Sequence, residues 1–224
     1  MALLGNCTPT EVPEDKRREW THAFHFTAPH QQEIVRLCEL LKTALSLTAK
    51  RDLDFAIALD WYKNPVGDDP MKWPNTPSGE LIYRSKYYGP GHDRTRARRQ
   101  LVEKYAALIR QHPILRDCPA IITVPGHKAD GESFGEKLAD KVASETGKTL
   151  IRTLSPGGTR PQAKEGASQI ADGHFAMPHE IDERVIILDD VYGSGATMAA
   201  VGKAARHSGA RRVFGLAAVR RMRS

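Results

Sequence analysis

The hydrophobic positions of this 224-residue chain recur in two registers. After Pro29, the residues Ile34, Leu37, Cys38, Leu41 and Leu45 return at helical spacing and predict an amphipathic helix with Cys38 on its apolar face. Residues 55–59 predict a short strand, followed by a loop punctuated by Pro65, Pro70, Pro74 and Pro77. From Arg94 onward helical and strand patterns alternate. Leu101, Tyr105, Leu108 and Ile109 mark a helix, and 120–124 a buried strand ending at Pro125-Gly126. Phe134, Leu138 and Val142 mark a second helix that Thr146-Gly147 stops, before a strand over 149–154. Residues 155–172 are polar, with three glycines and two prolines, and too long for an idle connection. Residues 184–188 predict another buried strand, a helix opens near Gly195 and runs to about Ser208, and 212–219 predict the last strand.

Strands alternating with helices imply right-handed βαβ units, hence an α/β fold with a parallel twisted sheet covered by helices on both faces. Ligands of such sheets bind beyond the carboxyl ends of the strands, where 125–130 and 189–197 emerge. Hydrophobic residues at 40 % and charged residues at 27 % allow a packed core and exclude wholesale disorder. No apolar run has the length of a membrane span, and the first residues lack the pattern of a signal peptide, so a cytoplasmic protein is expected. Three scattered cysteines exclude a CxxC-type zinc site and a disulfide framework. The net charge of +6 is local: seven cations and no acid follow Asp190, a basic tail suited to nucleic acid or to a polyanionic small molecule.

The candidate chemistry concentrates in 185–197, Val-Ile-Ile-Leu-Asp-Asp-Val-Tyr-Gly-Ser-Gly-Ala-Thr. A buried strand delivers two adjacent carboxylates, Asp189 and Asp190, and then a small-residue turn into a helix. Gly193 and Gly195 permit close backbone approach, and the amides of 194–197 with the helix N-terminus can bind a phosphate. Two adjacent acids repel, so vicinal hydroxyls, a divalent cation, or both must compensate them. The third glycine of a dinucleotide fingerprint would fall at Met198, and a Walker A loop needs Gly-Lys-Ser/Thr, so neither applies. The Asp-x-x-x-Gly-Ser-Gly of DNA amino-methyltransferases also fits here, but their Pro-Pro dipeptide is absent from the sequence.

This motif resembles the phosphoribosyl pyrophosphate (PRPP) signature of type I phosphoribosyltransferases, and 78–222 are similar to the ComF-like subgroup. Residues 78–89 look like that group's hood segment, 121–125 like its first core strand, and Gly126-His127-Lys128 like its pyrophosphate loop. Residues 159–162 and 174–175 fall where its flexible loop begins and closes. The resemblance divides the chain into an N-terminal helical extension (1–50), a hood-like segment (51–93) and a phosphoribosyltransferase core (94–224). The subgroup's N-terminal cysteine-rich ribbon is absent, and the stretches after the pyrophosphate loop (131–135) and in the flexible loop (167–171) depart from its pattern.

By this resemblance Asp189 and Asp190 hold the ribose hydroxyls and, through these or water, a Mg2+ ion. Val191, Tyr192, Gly193, Ser194, Gly195, Ala196 and Thr197 take the 5′-phosphate. Gly126, His127 and Lys128 neutralise pyrophosphate, with Lys128 catalytic beside the two acids. Arg160 and Lys164 close over the substrate, and Lys86, with Arg84, Tyr87 and Tyr88, meets the acceptor. Two roles follow. One is transfer of phosphoribose to a nitrogen nucleophile, placing the chain in nucleotide metabolism. The other is a non-catalytic PRPP or nucleotide regulator, or a DNA uptake or processing partner using the basic tail. PRPP or a phosphoribosyl nucleotide is the expected ligand and a homo-oligomer the expected assembly.

Overall fold

A computed structural model describes residues 7–17, 23–26, 31–42, 44–160 and 170–222. The chain divides into two units, 1–42 and 43–224. In the first, strand β1 (Cys7–Thr10) pairs antiparallel with β2 (Ala23–Phe26), and helix α1 spans Gln31–Lys42. Cys38 is exposed rather than in a core. It lies at the margin of a helical apolar stripe only about 100° wide, beside Val35, which is 55 % exposed.

The second unit runs β3 (Leu45–Leu47), β4 (Phe55–Trp61), α2 (Pro77–Tyr87), α3 (His92–Gln111), β5 (Ala120–Thr123), α4 (Phe134–Thr146), β6 (Thr149–Ile151), β7 (Arg184–Tyr192), α5 (Ala196–His207) and β8 (Arg212–Arg220). One six-stranded sheet has the order β3-β4-β8-β7-β5-β6 and is parallel except for β3. Leu45, assigned by spacing to the first helix, belongs instead to β3, because Leu45-Ser46-Leu47 alternates and pairs with β4. Strand β4, from the segment set apart as hood-like, joins the central sheet against β8 because Ala56, Ile57 and Ala58 are buried.

Helix α5 covers one sheet face: Met198, Val201 and Ala205 pack with Ala120, Ile122, Val185, Ile187, Val213 and Ala217. The alternate residues Ile121, Ile186, Leu188 and Leu216 are equally buried and point to the other face, the side of α2, α3 and α4. Local signals set these helices. Thr76 caps α2 by accepting from the Gly79 amide at 3.0 Å, with Pro77 as its first residue. Ser133 and Glu136 form a capping box on α4, and Gly147, at φ 66°, ends it. No helix among the described residues is long and apolar enough to cross a membrane.

Candidate functional site

The carboxyl ends of the parallel strands gather the residues singled out by the motif. Strand β7 runs further than its apolar core, through Asp189 and Asp190 to Tyr192, because Val191 and Tyr192 pair with Val219 and Arg220 of an equally long β8. The acids therefore lie within a strand and not just past its end. Ladder pairing fixes their backbone, and the Tyr105 hydroxyl of α3 donates to the Asp189 carbonyl at 2.6 Å. The Asp190 amide donates to Asp189 Oδ1 at 2.8 Å. Burial, and then the charge of Asp190, push the Asp189 carboxyl up to about 7. Lys86, in the last turn of α2, forms an ion pair with Asp190 Oδ2. Burial alone would lower the lysine's pKa, but the charges of Asp190 and Asp189 hold it above its usual value.

Tyr192 is buried, and its hydroxyl donates to the Thr48 carbonyl at 2.9 Å. Its side chain is thus a floor for the turn, and Val191 is held in the ladder. Residues 193–197 carry the turn itself. Gly195 caps α5 at φ 74°, and a Cβ there would stand 2.2 Å from the Tyr192 hydroxyl, so both conformation and space demand glycine. Among the described residues the amides of Ser194, Gly195 and Thr197 have no protein acceptor, which leaves donors at the positive end of a helix.

The loop after β5 is tied to α4. Glu136, 5 % exposed, accepts from the amides of Gly126 and Ser133, each at 3.2 Å. A Cβ on Gly126 would meet Ser133 Cβ at 2.5 Å, so this approach also requires glycine. Ala129, at φ 54°, turns the loop and donates to the Gly126 carbonyl at 3.1 Å. Lys128 is exposed, and no ion pair engages it among the described residues. The His127 carbonyl accepts from the Arg160 amide at 2.9 Å.

Arg160 links the two phosphate-binding candidates. Its guanidinium donates to the Pro125 carbonyl at 2.6 Å and to Thr197 Oγ1 at 3.2 Å, and lies 5.7 Å from the Phe175 ring centre. It is a clamp between loop and turn, in the segment that sequence assigned to closure over substrate. Lys164 lies outside the described residues. At the end of α2, Tyr83, Tyr87 and Tyr88 are exposed, the Tyr83 ring contacts those of Tyr87 and Tyr88, and Arg84 lies over Tyr88 at 5.6 Å.

Four of the seven cations of the basic tail form ion pairs within the fold. Lys203 pairs with Asp172 at 2.6 Å, Arg211 with Asp182 at 2.6 Å and Arg212 with Asp54 at 2.8 Å. Arg206 also pairs with Asp54, and Arg220 lies 5.1 Å from the Trp61 ring centre. Reading charge along the chain missed these acids because they precede Asp190 in sequence and meet the tail only in the fold. Sequence reading also missed Glu136, whose signal was the Ser133-x-x-Glu136 capping box. It missed Phe134 too, over which Lys86 and Arg98 lie at 5.8 and 5.3 Å and which carried no signal before α2 and α3 were placed.

No protein-family model matches the chain, and no curated protein matches it. Among solved structures it is similar to a purine phosphoribosyltransferase from Pyrococcus horikoshii, at 18 % identity over 55 % of this chain and 83 % of that one, TM-score 0.37. It is similar to the adenine phosphoribosyltransferase of Leishmania tarentolae, at 12 % identity over 77 % and 94 %, TM-score 0.43. The adenine enzyme of Trypanosoma brucei, solved with AMP, pyrophosphate and ribose-5-phosphate, is 15 % identical over 80 % and 86 %, TM-score 0.43. Likenesses at this level assign no activity, and the site's own residues carry the functional reading.

Proposed function

We propose that this chain is a ComF-like phosphoribosyltransferase that binds PRPP with Mg2+ and passes phosphoribose to a nitrogen nucleophile, releasing pyrophosphate. One observation carries the reading: Asp189 and Asp190 lead directly into a glycine-kinked turn and the open N-terminus of α5, while Arg160 braces that turn to the glycine loop of the neighbouring strand. This supplies an acid pair for two sugar hydroxyls, a cradle of amides for a 5′-phosphate, and a second loop for a diphosphate.

The donor set fits Mg2+ that comes with the substrate. Among the described residues no group of three His, Cys, Asp or Glu could cage a metal, and Mg2+ keeps its waters while taking one or two carboxylates and substrate phosphates. Asp189 and Asp190 would hold it, through ribose hydroxyls or water, and the charge it would supply there would offset that of the leaving pyrophosphate. The nucleophile's lone pair forms the C1–N bond as the C1–O electrons leave with pyrophosphate, and the nitrogen's proton passes to solvent. The protein's work is positioning: Gly195 and Tyr192 hold the phosphate turn, Arg160 fixes its distance from 125–128, and Lys128 meets the departing diphosphate.

The test is pyrophosphate release from PRPP across a panel of nitrogenous acceptors. Release with at least one acceptor, lost in Asp190→Asn, supports transfer. PRPP binding without release from any acceptor supports the regulator reading. The DNA alternative would draw on a tail in which four cations already form ion pairs, and salt-sensitive DNA binding lost on truncation before Arg220 would support it.

A further inference from the structure

Two neighbouring carboxylates partly withdrawn from water are the kind of oxygen pair that a hard divalent ion takes from solution. In this protein the place beside them is filled by the chain itself. Lys86 Nζ sits on Asp190 Oδ2, with side chains only 27 % and 12 % exposed, so salt screens the contact less than it would a surface pair. The other cation that feels Asp189, Arg160, is committed to the Pro125 carbonyl and Thr197. Lys86 arises from α2, not from the strand carrying the acids, and its ammonium lies 5.8 Å from the Phe134 ring centre, which Arg98 also faces. A flexible four-carbon stem at the last turn of a helix lets it leave Asp190 without disturbing the sheet.

We propose that Lys86 is a tethered counter-ion that keeps free divalent cations off Asp189 and Asp190, making it the residue that selects metal-loaded PRPP. The proposal rests on the PRPP reading of the site. Its logic is charge exchange. A bare divalent ion bridging the two acids must displace the ammonium from Asp190, with Arg98 of like charge facing the same Phe134 ring. A metal–diphosphate complex brings the cation for the acids and, in the same step, an anion to receive the ammonium. At no stage is a sheltered charge left unpaired.

The experiment is electron paramagnetic resonance titration of Mn2+ into the full chain, without substrate, for wild type, Lys86→Met, Lys86→Gln and Lys86→Met/Asp190→Asn, with circular dichroism to confirm folding. Wild type is expected to leave Mn2+ free. The folded single variants are expected to bind one ion at least about tenfold more tightly, since a unit positive charge a few ångströms away has gone, and the double variant to lose it again. Single variants that bind Mn2+ no better than wild type overturn the proposal, as does tight binding by wild type itself. Calorimetry of wild type with Mg2+ and PRPP separates the two claims. Binding there with no gain of Mn2+ in the variants overturns counter-ion exclusion alone, and no binding there overturns the PRPP reading.

Discussion

Asp189→Asn is expected to stabilise the folded protein at pH 8 while destroying its ligand site. The carboxyl ordinarily titrates near 3.8, and burial beside Asp190 raises it to about 7. Between those values the folded state holds a proton that the unfolded chain has lost, so stability falls as pH rises through the window. The full cost, above pH 7, is roughly three pH units at about 1.4 kcal/mol each, or about 4 kcal/mol. Between pH 5 and pH 8 wild type should lose on the order of 2–3 kcal/mol from this group. Asparagine has no such titration, and its carbonyl oxygen can still accept from the Asp190 amide, which lies 2.8 Å from Asp189 Oδ1 in wild type. Urea unfolding at closely spaced pH values measures the difference. The wild-type curve should decline relative to the variant's by about 2–3 kcal/mol over this range, while contributions from groups that do not interact with Asp189 cancel. Parallel curves would refute the assignment of a strained, proton-holding carboxyl at this position.

Gly195→Ala should cost about 2 kcal/mol or more in chemical denaturation, because the αL backbone is strained with a side chain and the new methyl meets the Tyr192 hydroxyl; it should also abolish PRPP binding in calorimetry. Arg160→Met removes charge-assisted hydrogen bonds from Pro125 and Thr197 and should weaken PRPP binding by about tenfold, with stability falling by about 1–2 kcal/mol. His112 is 3 % exposed, and its Nδ1 accepts from the Ile114 and Leu115 amides at 3.2 and 3.4 Å. Burial lowers its pKa to about 4, so the folded state binds fewer protons than the unfolded chain below pH 6.5, and stability falls by roughly 3 kcal/mol as pH drops toward 4. His112→Gln should flatten that acid limb in thermal melts.

Much of this fold was legible because its strands are buried on both faces and its helices carry their own punctuation. The runs at 120–124 and 184–188 need no partner to be recognised as strands, and Ser133 and Gly147 mark the ends of α4 locally. What sequence could not show is set by contacts between distant residues. Asp189 to Tyr192 read as loop because strand β7 continues only by virtue of β8. Leu45 read as helix because three residues of alternation cannot outweigh a longer helical period until β4 offers an edge. Within the site, the acid pair and its glycines were visible as a motif. The counter-ion at Asp190, the clamp at Arg160 and the acids that neutralise the basic tail were not, since each joins residues dozens to more than a hundred positions apart.

The central claim is that Asp189, Asp190 and the turn into α5 form a PRPP site. Isothermal titration of the full chain with PRPP and Mg2+, set beside the Asp189→Asn/Asp190→Asn double variant, tests it most directly. The account predicts binding in the micromolar range, about 8 kcal/mol, that the double variant loses. Equal affinity in the two proteins, or no heat in either, would contradict it.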